Sequence, residues 1–183
     1  MSIVRTFFLA LLAGTALAAA PLFRETLIFD PAAESHGHVH ASCVVELPDG
    51  QLLAVWYENG PKHPDQYYTG DADKRDDVRI GAARRPAGAA AWSRPFVMAD
   101  TFGVSDNNPT LVVDGAKRLW LVFPTLLAVP ERAWGSGLLQ YKVSTDYSGP
   151  GVPRWSKESI LVVHPRGLDE VVARQAEEFR RSG

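Results

Sequence analysis

Two short stretches concentrate side chains able to do chemistry. The first, Tyr57 to Asp77, holds six carboxylates: Glu58, Asp65, Asp71, Asp73, Asp76 and Asp77. Crowded carboxylates raise one another's pKa, which suits one of them to hold and donate a proton near neutral pH. The same stretch also reads as a solvated acidic loop neutralised by Lys74, Arg75 and Arg79. The second stretch carries His36, His38 and His40. Alternate residues of an extended strand share a face, so the three imidazoles would point together. With a further ligand they could bind zinc; otherwise they form the polar start of a strand at the mouth of a pocket. Asn107-Asn108-Pro109 mirrors this stretch later in the chain, and it too can be a plain strand start. No G-x-S-x-G, phosphate-loop, dinucleotide-binding or C-x-x-C motif occurs, and no cofactor is expected.

Short strands must position these residues. Ala41 to Trp56 is two apolar runs around Pro48-Asp49-Gly50, a turn in which Pro presets φ and Gly accepts a positive φ, and so predicts a β-hairpin. Pro109 to Phe123 repeats the plan around Asp114-Gly115. Each hairpin precedes a loop and a second strand pair: Val78–Arg84 with Arg94–Ala99, then Leu138–Ser144 with Ser159–Val163. Trp92-Ser93 and Trp155-Ser156 stand at the same point of the two units, 63 residues apart. The chain thus reads as two four-stranded units, about residues 36–100 and 104–165, rich in β-branched and aromatic residues. Tandem four-stranded units suggest β-propeller blades, with a two-sheet sandwich as the competitor. Only Leu168 to Phe179 has helical periodicity, predicting an amphipathic helix within residues 166–183.

Composition narrows the function classes. Of 183 residues, 46% are apolar and 22% charged, with a net charge of −2, so nothing points to nucleic acid or to an acidic tail. The single cysteine, Cys43, excludes an internal disulfide and lies in an apolar strand pattern that predicts burial. Arg5, the apolar run from Phe7 to Ala13 and Ala16-Leu17-Ala18 read as a signal peptide over residues 1–18, cleaved before Ala19. An uncleaved anchor is the alternative. Cleavage predicts a secreted or periplasmic protein with no membrane association.

Ser144-Thr145-Asp146 followed by Trp155-Ser156 resembles the Asp-box, S-x-D-x-G-x-x-W, of the bacterial neuraminidase (sialidase) repeats, with a stretched spacer. The first unit keeps Trp92-Ser93 but lacks the Asp. His40 to Trp56 also resembles the first sialidase blade. The resemblance spans residues 35–165 and implies an all-β, six-bladed propeller that cleaves a terminal sialic acid or a related sugar. It implies that the Asp146 carboxylate caps backbone N–H groups while Trp155 packs between strands. It further implies a general acid in the first acidic loop, where Asp77 and Asp73 are the candidates. Substrate contacts would come from His40, His38, Glu58, Asn107 and Asn108, with His40 and Asn108 as neighbouring pocket residues. Family members bind the sugar carboxylate with three arginines, and His40 stands where the first should be. Histidine is neither always charged nor bidentate, so this departure bears on sialic acid itself. The tyrosine nucleophile and its glutamate are assigned to no residue of this chain.

Small propellers have at least four blades. Removing 18 of the 183 residues leaves 165, about two and a half units. Three explanations follow: an N-terminal portion of a longer sialidase-like protein, inactive alone; several copies joined into a ring by self-association through open blade edges; or a sandwich. Beside the exo-glycosidase reading stand a non-catalytic carbohydrate-binding module, using Trp56, Tyr57, Tyr67, Tyr68 and Trp134 as exposed stacking surfaces, and a histidine metal protein.

Overall fold

The computed structural model describes residues 23, 25–30, 37–62, 66–68, 70–127, 131–163 and 165–182. The proposed signal peptide, His36 and Asp65 lie outside them. Strands β1 (Val39–Glu46), β2 (Leu52–Asn59), β3 (Val78–Arg85) and β4 (Phe96–Ala99) form sheet one, antiparallel and in chain order. Sheet two holds β5 (Ser105–Asp106), β6 (Thr110–Val113), β7 (Leu119–Leu126), β8 (Gly137–Ser144) and β9 (Lys157–Ile160). There β5 and β6 lie end to end along one edge of β7, followed by β8 and β9. Among the described residues neither sheet closes into a barrel. Helix α1 (Leu168–Ser182) buries no residue and is not long and apolar enough to cross a membrane.

The two sheets are register copies. Every residue of β2 has its counterpart 67 positions later in β7, and every residue of β3 has one 59 positions later in β8. Ser93 N–H donates to Arg84 and Ser156 N–H to Val143, so the two Trp-Ser pairs are equivalent, as their spacing predicts. The hairpin turns also superpose, but not on their Asp-Gly pairs. Gly50 (φ 80°) matches Lys117 (φ 57°), since both donate N–H to the residue three before and close the turn at the left-handed position. A bulge recurs as well. Between His40 and Cys43 the pairing slips by one residue, with Ala41 at φ 50°; between Asn107 and Thr110 it slips likewise, with Asn108 at φ 39°. The counterpart of His40 is therefore Asn107, and that of Asn108 is Ala41. This corrects the expected pairing of His40 with Asn108.

Alternation gives each sheet a front and a back. The front of sheet one carries Leu53, Val55 and Tyr57 with Val78, Ile80 and Ala82; its back carries Ala54, Trp56 and Ala83. The main core forms where that front meets Leu111, Leu119, Leu121 and Phe123 of sheet two. By the 67-residue correspondence these four match Val44, Leu52, Ala54 and Trp56, which are back positions. Unlike faces meet, so the sheets stack in one sense. Leu53, Val55, Ile80, Leu119, Leu121 and Phe123 are fully buried there, each worth roughly 1.5–3 kcal/mol of gross burial. Trp155 packs on this seam, whereas its counterpart Trp92 packs with Ile28 and Phe29 over the back of sheet one.

Buried arginines tie the seam at both ends. Arg84 donates from Nε to Gly151 O (2.8 Å) and from Nη1 to Gln51 Oε1 (2.6 Å), and burial lowers its pKa. Arg132 pairs with buried Asp76 and donates to the carbonyls of Lys74 and Gly103. Cys43, predicted buried, is only half-buried; its Sγ lies 3.3 Å from the Leu111 N–H on the facing sheet.

Candidate functional site

The end of the sheets where β2 stops and β3 begins gathers most of the predicted residues. The chain leaves β2 at Asn59, runs through a 3-10 turn at Ala72–Lys74 and enters β3 after Asp77. Gly60 N–H donates to the Asp77 carbonyl, and Asn59 Nδ2 bridges the Ala72 carbonyl and Asp77 Oδ1, both at 2.8 Å. These bonds hold the buried Asp77 carboxylate at the wall of a cleft of about 390 Å³. Gly37, Asn59, Gly60, Pro61, Lys62, Arg75 and Arg79 complete the lining. Three cationic side chains and one carboxylate thus line the same cleft. The charge of Arg79 is shared with buried Glu58, whose Oε1 lies 3.0 Å from Nη2, while Glu58 Oε2 accepts from Trp56 Nε1 at 2.7 Å. Glu58 is thus an internal ligand that steadies the cleft wall, a role its expected place as a substrate contact did not include. Arg75 Nε donates to Gly70 O, which fixes its stem and leads the guanidinium to the cleft.

Asp73 does not line this cleft. It lies nearer Tyr57, where it adds to burial, the larger cause, in raising the phenol pKa. The rings of His38, His40 and Tyr57 cluster with centroids 5.7–6.0 Å apart, the two imidazoles stacked. The β1 bulge produces this cluster: the extra residue turns His38 and His40 onto the front face, beside Tyr57. Among the described residues no group of three His, Cys, Asp or Glu side chains converges as metal ligands. Asp76 is occupied by Arg132 and by the N–H groups of Tyr67 and Tyr68, so this carboxylate of the crowded loop is committed to structure.

On sheet two, Asn107 is fully buried and donates to Ser105 Oγ at 2.7 Å; Ser105 Oγ in turn donates to the Asp73 carbonyl. Asn108 occupies the left-handed bulge position. Beside them Asp106, with no exposed surface, accepts from Thr125 Oγ1 (2.6 Å) and Thr101 N–H (2.7 Å), and Gln140 donates to both threonine hydroxyls. Burial pushes the Asp106 pKa up to about 6, against the pull of these hydrogen bonds. Asp106 and Arg132 were missed in the sequence. The first stands just before the Asn107-Asn108-Pro109 stretch that the sequence singled out, and no signal marked the second.

Two further expectations are corrected. Trp56 and Tyr57 are 2% and 3% exposed and cannot stack on a sugar, because alternation places one on each packed face; Tyr67 (67%) and Trp134 (47%) are exposed. In the Asp-box-like turn, Ser144 rather than Asp146 does the capping. Ser144 Oγ accepts from Asp146 N–H and donates to the Arg154 carbonyl, while the Asp146 carboxylate is exposed and 3.7 Å from Arg154. No protein-family model matches this sequence, and no curated protein matches it.

Proposed function

We propose that the two sheets are successive blades of a sialidase-like β-propeller and that the chain belongs to an exported, glycan-active protein that holds an acidic sugar at the cleft of Asp77. The unlike-face stacking and the repeated bulge support the blade reading, since blades round an axis meet front to back. The observation that carries the sugar reading is the cleft itself, lined by Lys62, Arg75 and the Glu58-paired Arg79 together with buried Asp77. Guanidinium forks bind a carboxylate with two parallel hydrogen bonds, and here they stand in for the arginine that His40 replaces. In this reading Asp77, backed by Asn59, gives its proton to the leaving glycosidic oxygen as the sugar C–O bond breaks; the water whose hydroxyl goes to the sugar carbon returns its other proton to Asp77. The nucleophile is assigned to no residue of this chain, so binding without turnover is expected of it.

Titration with N-acetylneuraminic acid, followed by amide chemical shifts, tests this. Shifts at Asn59, Gly60 and Asp77, weakened at least tenfold by Arg75→Ala together with Lys62→Ala, are expected. Equal binding of galactose, or no shift at these positions, overturns it. A second reading, a carbohydrate-binding module, is favoured by Trp134, exposed with the Lys74 ammonium 5.8 Å from its ring. Under that reading galactose binds and Trp134→Ala removes the binding.

A further inference from the structure

Asn59, the last residue of β2, carries a side-chain amide whose orientation is fixed by backbone groups on both sides. Its Oδ1 accepts the His38 N–H at 3.3 Å, and its Nδ2 donates to the Ala72 carbonyl at 2.8 Å. An N–H only donates and a carbonyl only accepts, so turning the amide over would lose both bonds. The chain before β1 also presses on it. Gly37 holds a left-handed backbone (φ 60°), and a Cβ there would lie 2.9 Å from Asn59 Cβ. The amide is therefore set by the start of β1 and by the 3-10 turn, without any help from Asp77.

With that orientation given, the other Nδ2 hydrogen is directed at Asp77 Oδ1, 2.8 Å away. Asp77 Oδ2 has no hydrogen-bond partner among the described residues, and Asp77 lines the cleft. A carboxyl group holds its proton on one oxygen only, and that hydroxyl oxygen accepts a hydrogen bond less well than the carbonyl oxygen beside it. Protonated Asp77 therefore keeps Oδ1 as the carbonyl. We infer that Asn59 is a positioning residue that assigns the Asp77 proton to Oδ2, the oxygen left for the cleft.

When Oδ2 gives up its proton, the negative charge spreads over both oxygens. The Nδ2–H bond to Oδ1 then becomes charge-assisted, shorter and stronger. One amide thus selects the donating oxygen and steadies the carboxylate that remains. The placement of the proton follows from the amide geometry alone; its use in cleaving a glycosidic bond rests on the proposed function.

Nuclear magnetic resonance of the 15N-labelled chain tests this without any sugar. The two Nδ2 hydrogens of Asn59 give separate signals. Between about pH 7 and about pH 3.5, which spans carboxyl titration, the hydrogen on Asp77 is expected to follow a titration curve as its acceptor is neutralised. It should move several times as far as the hydrogen on the Ala72 carbonyl. Asp77→Asn is expected to flatten the curve, with Asp77→Ser in its place if the first does not fold. At the acid end the hydrogen on Asp77 should still exchange slowly with solvent, because Oδ1 still accepts it. A flat response in the native chain, equal movement of both hydrogens, or a curve that survives the loss of Asp77 overturns the inference. So does rapid exchange at the acid end, which would put the proton on Oδ1. Adding N-acetylneuraminic acid to the same samples separates the two readings. The amide response without sugar binding leaves the positioning intact and overturns the proposed function, whereas sugar binding with a flat amide does the reverse.

Discussion

Lys117 holds a left-handed backbone (φ 57°) at the position that Gly50 occupies in the other hairpin. A side chain there crowds the following carbonyl, at a cost of about 1–2 kcal/mol, part of which glycine's greater unfolded-state freedom offsets. Lys117→Gly is therefore expected to raise stability by about 0.5–1 kcal/mol, read as a higher urea midpoint at unchanged slope. Asp106 gives a prediction of a different kind. Its folded-state pKa of about 6 lies above the ordinary 3.8, so the native state binds the proton more tightly than the unfolded chain does. Its stabilising contribution is full below about pH 4 and is lost as pH rises through 6, beyond which the profile is flat. The loss amounts to up to about 3 kcal/mol, and Asp106→Asn should remove this part of the pH profile of urea unfolding. The sequence singled out Asn107 and Asn108 but not Asp106 beside them. The bulge reverses alternation between β5 and β6, so counting back from Leu111 puts Asp106 on the wrong face.

Among the elements, β2 and β3 are held by a close approach that only glycine permits. A Cβ on Gly81 would lie 2.6 Å from Trp56 Nε1 and 2.8 Å from Glu58 Oε2. Gly81→Ala is expected to cost about 1–3 kcal/mol. Trp56→Phe, which makes room, should lessen that cost in the double variant, so that the two effects are not additive. The strands themselves were legible, because runs such as Leu52–Val55 and Leu119–Phe123 join β-branched or aromatic residues to clear turn signals. The alignment of the turns was not. Asp49-Gly50 and Asp114-Gly115 look alike, and both carboxylates accept the N–H two residues on, yet only the first pair supplies the left-handed residue, while Asp114 takes the Arg118 N–H as well. Those bonds, with the Arg118 and Trp120 side chains, hold the Asp114 pKa well below the carboxylate range. The cleft was partly legible: Asp77 stood out by its place before β3, whereas the presence of Lys62 and Arg75 in the same cleft lining depends on a loop path that spacing does not encode.

At the scale of the whole molecule, the main core belongs to neither sheet alone. Sheet one brings Leu53, Val55 and Ile80, sheet two brings Leu119, Leu121 and Phe123, and Arg84 and Arg132 fasten them from opposite ends. Separating the sheets would expose all six large side chains at once, so the two halves should unfold in one transition. The lone thiol of Cys43, set 3.3 Å from the Leu111 amide on the opposing sheet, is a built-in gauge of that separation. A maleimide dye should label it slowly in the native protein and at least tenfold faster in Phe123→Ala, where the two halves part more often. Equal rates in both would mean that the sulfur is reached by a route that leaves the halves closed.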